Sequence, residues 1–348
     1  MSSSPLPANS SRLGGCTLTG ALSVTSQVRD AVTVVHGPRG CSHHNLSLLH
    51  ATCCENGRGA LPEIVSSDLS ETEIVFGGED ALRKAIGRAA ERDIRAVFVL
   101  STCVVGTIGD DTEGICREEF GVPVIPLPTA GFLGGSFQDG VNKALVALAV
   151  AAGPSPARTD VSIVGEMNLE YEVEENYAEI ARLLSCLRLS VGIRFVHDTA
   201  FDRLPLVGAA RLNILRDPAL VPVGEYLQKR FGTPYLPAFP RGLAGTLSFL
   251  RSAAAACGTD GEEAVIREEA LQREMMAAFA DLRGRRAACA AGLPGGMGGG
   301  AAEEAARMLG MTIGNGGGGG RLPPDEAVGT AGTRRMLHRW RRAFRGRV

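Results

Sequence analysis

The chain has no Cys-x-x-Cys pair and no ferredoxin-type run of cysteines. That excludes the local motifs in which neighbouring thiols grip a metal on one loop. It has little net charge, −2 at pH 7, so no global electrostatic attraction to nucleic acid is expected. It has no apolar run near the roughly 18–20 residues of a membrane span, and no signal-peptide pattern. Its nine cysteines are an odd number, which argues for a reducing cytoplasm rather than a disulfide framework. What it does have is length and ordinary apolar content. At 348 residues and 45% hydrophobic, it can build two or three α/β layers with real cores. Residues 1–12, rich in Ser and Pro, read as a disordered lead-in.

Three of the cysteines share a setting. Cys16 lies in Gly-Gly-Cys, Cys41 in His-Gly-Pro-Arg-Gly-Cys, and Cys103 in Ser-Thr-Cys-Val-Val-Gly. Each stands where a predicted strand or helix meets a glycine-bearing turn. Glycines admit bulky inorganic sulfide, and free N–H groups at turns and helix starts offset the negative charge of an iron–sulfur cluster. On spacing alone, three ordinary buried thiols account for the pattern as well.

Short β-branched runs alternate with helical patterns, as in parallel α/β domains. Residues 31–36, 96–100 and 122–127 read as strands. A helix after Gly77-Gly78 places Ala81, Leu82, Ala85, Ile86 and Ala89 on one face, with Glu79 and Arg83 as an i,i+4 pair. A helix over 137–152 completes a first domain, residues 13–155. A second domain, 156–258, repeats the pattern with strands at 160–165, 192–197 and 209–215 and helices at 173–187 and 223–231. Residues 259–348 hold a helix over 262–280, a strand from 285, glycine-rich tracts at 292–300 and 316–320, and a helix over 301–309. The strand, glycine turn and helix look superficially like a dinucleotide site, but no suitably placed acidic residue follows. The terminal helix, 333–347, puts Met336, Leu337, Trp340 and Phe344 on one face among arginines. It is expected to dock on the body rather than on a membrane or nucleic acid.

The segments 16–21 (Cys-Thr-Leu-Thr-Gly-Ala), 36–41 (His-Gly-Pro-Arg-Gly-Cys), 74–79 (Ile-Val-Phe-Gly-Gly-Glu) and 101–111 (Ser-Thr-Cys-Val-Val-Gly-Thr-Ile-Gly-Asp-Asp) together resemble the nitrogenase component 1 family. That family contains molybdenum–iron protein subunits, cofactor-assembly scaffolds and nitrogenase-like tetrapyrrole reductases. The resemblance covers about residues 13–255, including a weaker stretch at 161–169, and implies repeated Rossmann-like parallel-sheet domains with a shortened third one. By the same resemblance, Cys16, Cys41 and Cys103 match the family's cluster cysteines. They would hold a 4Fe-4S or larger iron–sulfur cluster shared at a subunit interface, with itself or a paralogous chain as the dimer partner. The implied activity is that of an oxidoreductase subunit. An ATP-dependent iron–sulfur reductase protein would supply electrons singly, and a tetrapyrrole or small molecule would receive them. The alternative is a non-catalytic scaffold for cofactor assembly. One departure bears on that choice: the second-domain stretch Arg211–Asp217 has no cysteine where catalytic α subunits carry a cofactor ligand.

Other polar residues have plainer expectations. His36 reads as a structural hydrogen-bonding residue. His43 and His44 read either as proton donors or ligands, or as solvated loop residues. Cys53 and Cys54 read as non-ligand thiols. Asp110 and Asp111 are expected to cap a helix running toward Phe120, with magnesium binding as the alternative. Cys116 and Cys186 are expected to pack on apolar helix faces, and Cys257 and Cys289 lie in alanine-rich surroundings. His197 and His338 stand in no recognisable ligand context.

Overall fold

The computed structural model describes residues 15–56, 62–133, 135–166, 168–170, 172–289, 299–313, 320–322 and 327–345. The lead-in and most of both glycine-rich tracts lie outside the described residues. In chain order the first elements are α1 (Thr17–Thr25), β1 (Ala31–His36), α2 (Arg39–Glu55), β2 (Ile64–Ser66), α3 (Glu71–Phe76), α4 (Glu79–Ala90), β3 (Ala96–Ser101), α5 (Cys103–Ile108), α6 (Thr112–Cys116), β4 (Val124–Pro128) and α7 (Phe137–Ala152). Then follow β5 (Thr159–Val164), α8 (Val173–Cys186), β6 (Val191–Phe195), β7 (Ala210–Leu215), α9 (Val221–Phe231), β8 (Tyr235–Leu236), α10 (Gly242–Cys257) and α11 (Glu262–Ala277). The last are β9 (Arg286–Cys289), α12 (Gly299–Met308), β10 (Thr312–Ile313), β11 (Gly320–Leu322) and α13 (Gly329–Arg345).

These elements form two compact units, one holding Ser11–Tyr171 and Gly192–Pro237, the other Glu172–Val191 and Ala238–Val348. The first unit carries two four-stranded sheets, ordered β2-β1-β3-β4 and β6-β5-β7-β8. In the first sheet every pairing is parallel, and β1 and β3 run in register from Ala31↔Ala96 to His36↔Ser101. Val32, Val34, Val97 and Val99 bury one face of this sheet against the apolar stripe of α4. The opposite face, with Val35, Phe98 and Leu100, packs on α1 and α7.

Helix α1 is buried at all nine positions, so it shows no amphipathic period and escapes sequence reading. Its contact with α7 is backbone on backbone. A Cβ on Gly20 would lie 1.9 Å from the Phe137 carbonyl oxygen, and one on Gly140 would lie 2.0 Å from that of Thr17. Only glycine at both positions permits this approach. Capping boxes at Ser70/Glu73 and Ser136/Asp139 fix the starts of α3 and α7.

Among the described residues, the second unit holds the small parallel sheet β10-β9-β11 and the α-helices α8, α10, α11, α12 and α13. Helix α13 begins four residues before its expected start and docks as expected, with Met336, Leu337 and Trp340 fully buried beside Leu243, Met275, Phe279 and Leu309. Burial of such side chains stabilises by about 1.5–3 kcal/mol each. His338 meets the Phe279 ring edge-on at 4.9 Å, and the Arg341 guanidinium lies 4.3 Å from the same ring centre. No described helix is long and apolar enough to cross a membrane.

Two expectations need correction. His43 and His44 lie inside α2, not in a loop. The buried positions of α2 are Ser42, Asn45, Leu49, Thr52 and Cys53, a helical spacing filled mostly by polar or small residues and therefore invisible as an apolar stripe. Cys186 is exposed. It ends α8 about a quarter-turn from the stripe of Ile180, Leu183 and Leu184.

Candidate functional site

Strands β1 and β3 end side by side, and Thr102 N–H donates to the His36 carbonyl at 3.0 Å. The chain therefore leaves both strands at the same level, the carboxyl edge where ligands of parallel sheets gather. Cys41 is the third residue of α2 and Cys103 the first of α5. Cys16 is the N-cap of α1, its Sγ 3.5 Å from Thr19 Oγ1, and Cys41 packs against the same core cluster as that helix. The Cys41 thiol is pushed up first by its burial and then by the thiols of Cys16 and Cys103, each of which lies within electrostatic reach of it. Each stands at a helix start, where backbone N–H groups have no helical partner and the dipole favours negative charge.

Several features fit an inorganic cluster at this edge. Thr17 Oγ1, next to Cys16, and Thr102 Oγ1, next to Cys103, are buried with no hydrogen-bond partner among the described residues. A Cβ on Gly40, next to Cys41, would meet nothing within 4 Å. Among the described residues no group of three or more His, Cys, Asp or Glu is close enough to hold a single ion. Thiols gathered but not converged suit a multi-atom core that lies between its ligands.

Behind the thiols runs a polar relay that the sequence did not reveal. His36, fully buried, contacts Ser67 Oγ through Nδ1 at 2.9 Å and Asp110 Oδ2 through Nε2 at 3.0 Å. Ser67 Oγ also accepts the Gly37 N–H, and both Asp110 oxygens accept the Gly78 N–H. Burial lowers the His36 pKa although Asp110 opposes it, so the ring is neutral at pH 7. The Ser67 hydroxyl then donates to Nδ1, and Nε2–H donates to Asp110. A side chain at Gly78 would strike Leu69, Asp110 and His36 at 2.5, 2.9 and 3.2 Å, so the Gly-Gly of 77–78 makes room for this relay. The cap expectation holds for Asp111, which accepts the Gly114 N–H at 2.8 Å, and fails for Asp110.

The remaining thiols divide. Cys116 is buried against α4 and the sheet, and its pKa is pushed up to about 12 by burial and by Glu113. Cys53 and Cys257 are buried, and Cys54 is exposed. A charged layer at the carboxyl edge of the second sheet was also missed. There Arg194 pairs with Glu166 at 2.8 Å, Arg216 with Glu170 at 3.0 Å, and His197 Nδ1 with Asn168 Oδ1. Its sequence signal is charge directly after an apolar strand, as in Gly165-Glu166 and Arg216-Asp217.

Parallel sheets flanked by helices, repeated along the chain, define an α/β protein of the Rossmann-like kind. A family model described as nitrogenase component 1 type oxidoreductase matches residues 16–327, and the chain belongs to that family. It is 29% identical over 291 residues to the nitrogenase iron-molybdenum cofactor biosynthesis protein NifE of Clostridium pasteurianum, covering 80% of this chain and 62% of that protein. It is 32% identical over 257 residues to the nitrogenase molybdenum-iron protein alpha chain of Methanosarcina barkeri, covering 69% of this chain and 47% of that one. The chain thus spans about half to three-fifths of the length of these relatives. Among solved structures, nitrogenase Cp1 at pH 6.5 superposes with a TM-score of 0.69 at 23% identity, covering 86% of this chain and 60% of that one. That is a likeness of fold.

Proposed function

We propose that the chain is a subunit of a nitrogenase-like oxidoreductase in which Cys16, Cys41 and Cys103 hold an iron–sulfur cluster. The reading is supported by the placement of Cys16, Cys41 and Cys103 at three helix starts, with Cys16 and Cys103 each acting on the Cys41 thiol and the unpartnered Thr17 and Thr102 hydroxyls beside them. When bound, such a cluster stores and releases single electrons at low potential. The helix starts offset its negative charge, and the His36–Asp110 relay joins the loop of Cys41 to that of Cys103. Three thiolates leave a four-iron core one ligand short, which calls for a facing chain, either a second copy or a paralogue.

An ATP-dependent iron–sulfur reductase is the electron donor in this reading, and a tetrapyrrole or other small molecule the acceptor. Helix α3 supports a docking face for that donor. Its inner residue Ile74 packs in the cluster of Leu69, Ala81 and Val105 beside the Cys103 helix, while Val75 and Phe76 are 72% and 85% exposed. Large apolar side chains left in water mark interaction surfaces.

A second reading, a scaffold that carries a metallocluster precursor and hands it on, is favoured by the match to the NifE proteins and by the cysteine-free stretch Arg211–Asp217. Iron and acid-labile sulfide per chain, measured on anaerobically purified protein, test the cluster. About two to four irons per chain are expected, with loss in Cys41→Ala. An iron-free, folded wild type overturns the cluster assignment. Transfer of the loaded cluster to an apo acceptor, without electron delivery to any substrate, selects the scaffold.

A further inference from the structure

Helix α2 carries Cys41, Cys53 and Cys54 and three of the chain's six histidines, His43, His44 and His50. The cluster site uses only its first turn. Near its other end, His50 and Cys54 are both exposed and stand one helical turn apart on the same face, with His50 Nε2 and Cys54 Sγ separated by 3.5 Å. Neither side chain makes another contact among the described residues that competes for these atoms. Cys53, one residue earlier, faces inward and is buried.

We propose that His50 and Cys54 form a second metal site, for a thiophilic divalent ion of the zinc or ferrous class. The bite distance carries the assignment. Bond lengths of about 2.3 Å to sulfur and about 2.0–2.1 Å to nitrogen, at a tetrahedral angle, require the two ligand atoms to stand about 3.5 Å apart. The helix already holds them at that separation, so binding needs no backbone movement. A soft thiolate beside an imidazole selects zinc or iron over magnesium or calcium.

The chemistry balances without an oxidant. As the sulfur–metal bond forms, the Cys54 thiol gives its proton to solvent; His50 gives its Nε2 lone pair and keeps its proton on Nδ1. Two waters of the hydrated ion are displaced and others remain, so the site is open and exchangeable, unlike a closed four-ligand structural site. His43, two turns earlier at about 10 Å along the axis, is out of reach. From Cys41 to Cys54 the helix rises about 20 Å, which makes this site separate from the cluster edge and independent of the function proposed for it.

The test is anaerobic titration of the purified full chain with Co²⁺, followed by the thiolate-to-cobalt charge-transfer band. One equivalent is expected to bind with that band, which Cys54→Ser abolishes, His50→Ala weakens by at least roughly tenfold, and Cys53→Ser leaves intact. Zn²⁺ is expected to slow alkylation of Cys54, read by peptide mass spectrometry, by a similar factor. The site is overturned if no band forms, if the band survives Cys54→Ser unchanged, or if His50→Ala binds as wild type, since the 3.5 Å contact is then only a hydrogen bond.

Discussion

At position 36 the fold buries an imidazole whose two nitrogens are both engaged and whose ring is held neutral. Because burial lowers its pKa from the ordinary value of 6.5, the unfolded chain binds the proton more readily than the folded one. This contribution to stability is therefore complete above about pH 6.5 and falls as the pH drops below it. Chemical denaturation from pH 7.5 to 5 should show that loss, and His36→Asn should flatten it. Cys116 behaves oppositely. Its thiol is raised to about 12, so stability is intact below the ordinary thiol value and declines as the pH rises from there toward 12. Cys116→Val should remove that alkaline slope, and the wild-type thiol should resist alkylation at pH 9 until the protein unfolds.

Between elements, the α1–α7 crossing offers a paired test. Gly20→Ala forces a methyl group onto a backbone carbonyl, and overpacking of this kind costs about 1–3 kcal/mol or more. Gly87→Ala, in the interior of α4 with nothing within 4 Å of the new methyl, should instead stabilise by up to about 1 kcal/mol. Urea midpoints of the two variants, moving in opposite directions, check both. At α3, Phe76→Asp should leave the urea midpoint unchanged and, under the proposed function, weaken electron uptake from the proposed reductase by about tenfold or more.

What the sequence made legible at this scale followed a periodicity. Residues 31–36, 96–100 and 137–152 were readable because β-branched runs and a clean apolar stripe mark them, and β1 and α7 fall on the expected bounds. Helix α1 was not legible because it is buried on every side, and α2 was not because its inner face is Ser, Asn and Thr. The three thiols could be singled out from their glycine-bearing turns. Their relay could not, since His36 and Asp110 are 74 residues apart and neither fits a local motif beyond the cap reading, which only Asp111 fulfils.

On the scale of the whole molecule, the chain places its chemistry and its only tryptophan in different units. Trp340 is fully buried in the unit that contains Ala238–Val348, while Cys16, Cys41, Cys103 and Cys116 belong to the unit that begins at Ser11. Intrinsic tryptophan emission is thus a native optical probe of one unit alone, with no label and no competing indole. A denaturation curve followed by that emission describes the terminal helix and its core. Alkylation of Cys116, read by peptide mass spectrometry in the same sample, describes the other unit. Whether the two curves coincide measures the cooperativity of the entire chain with reporters that the protein already carries.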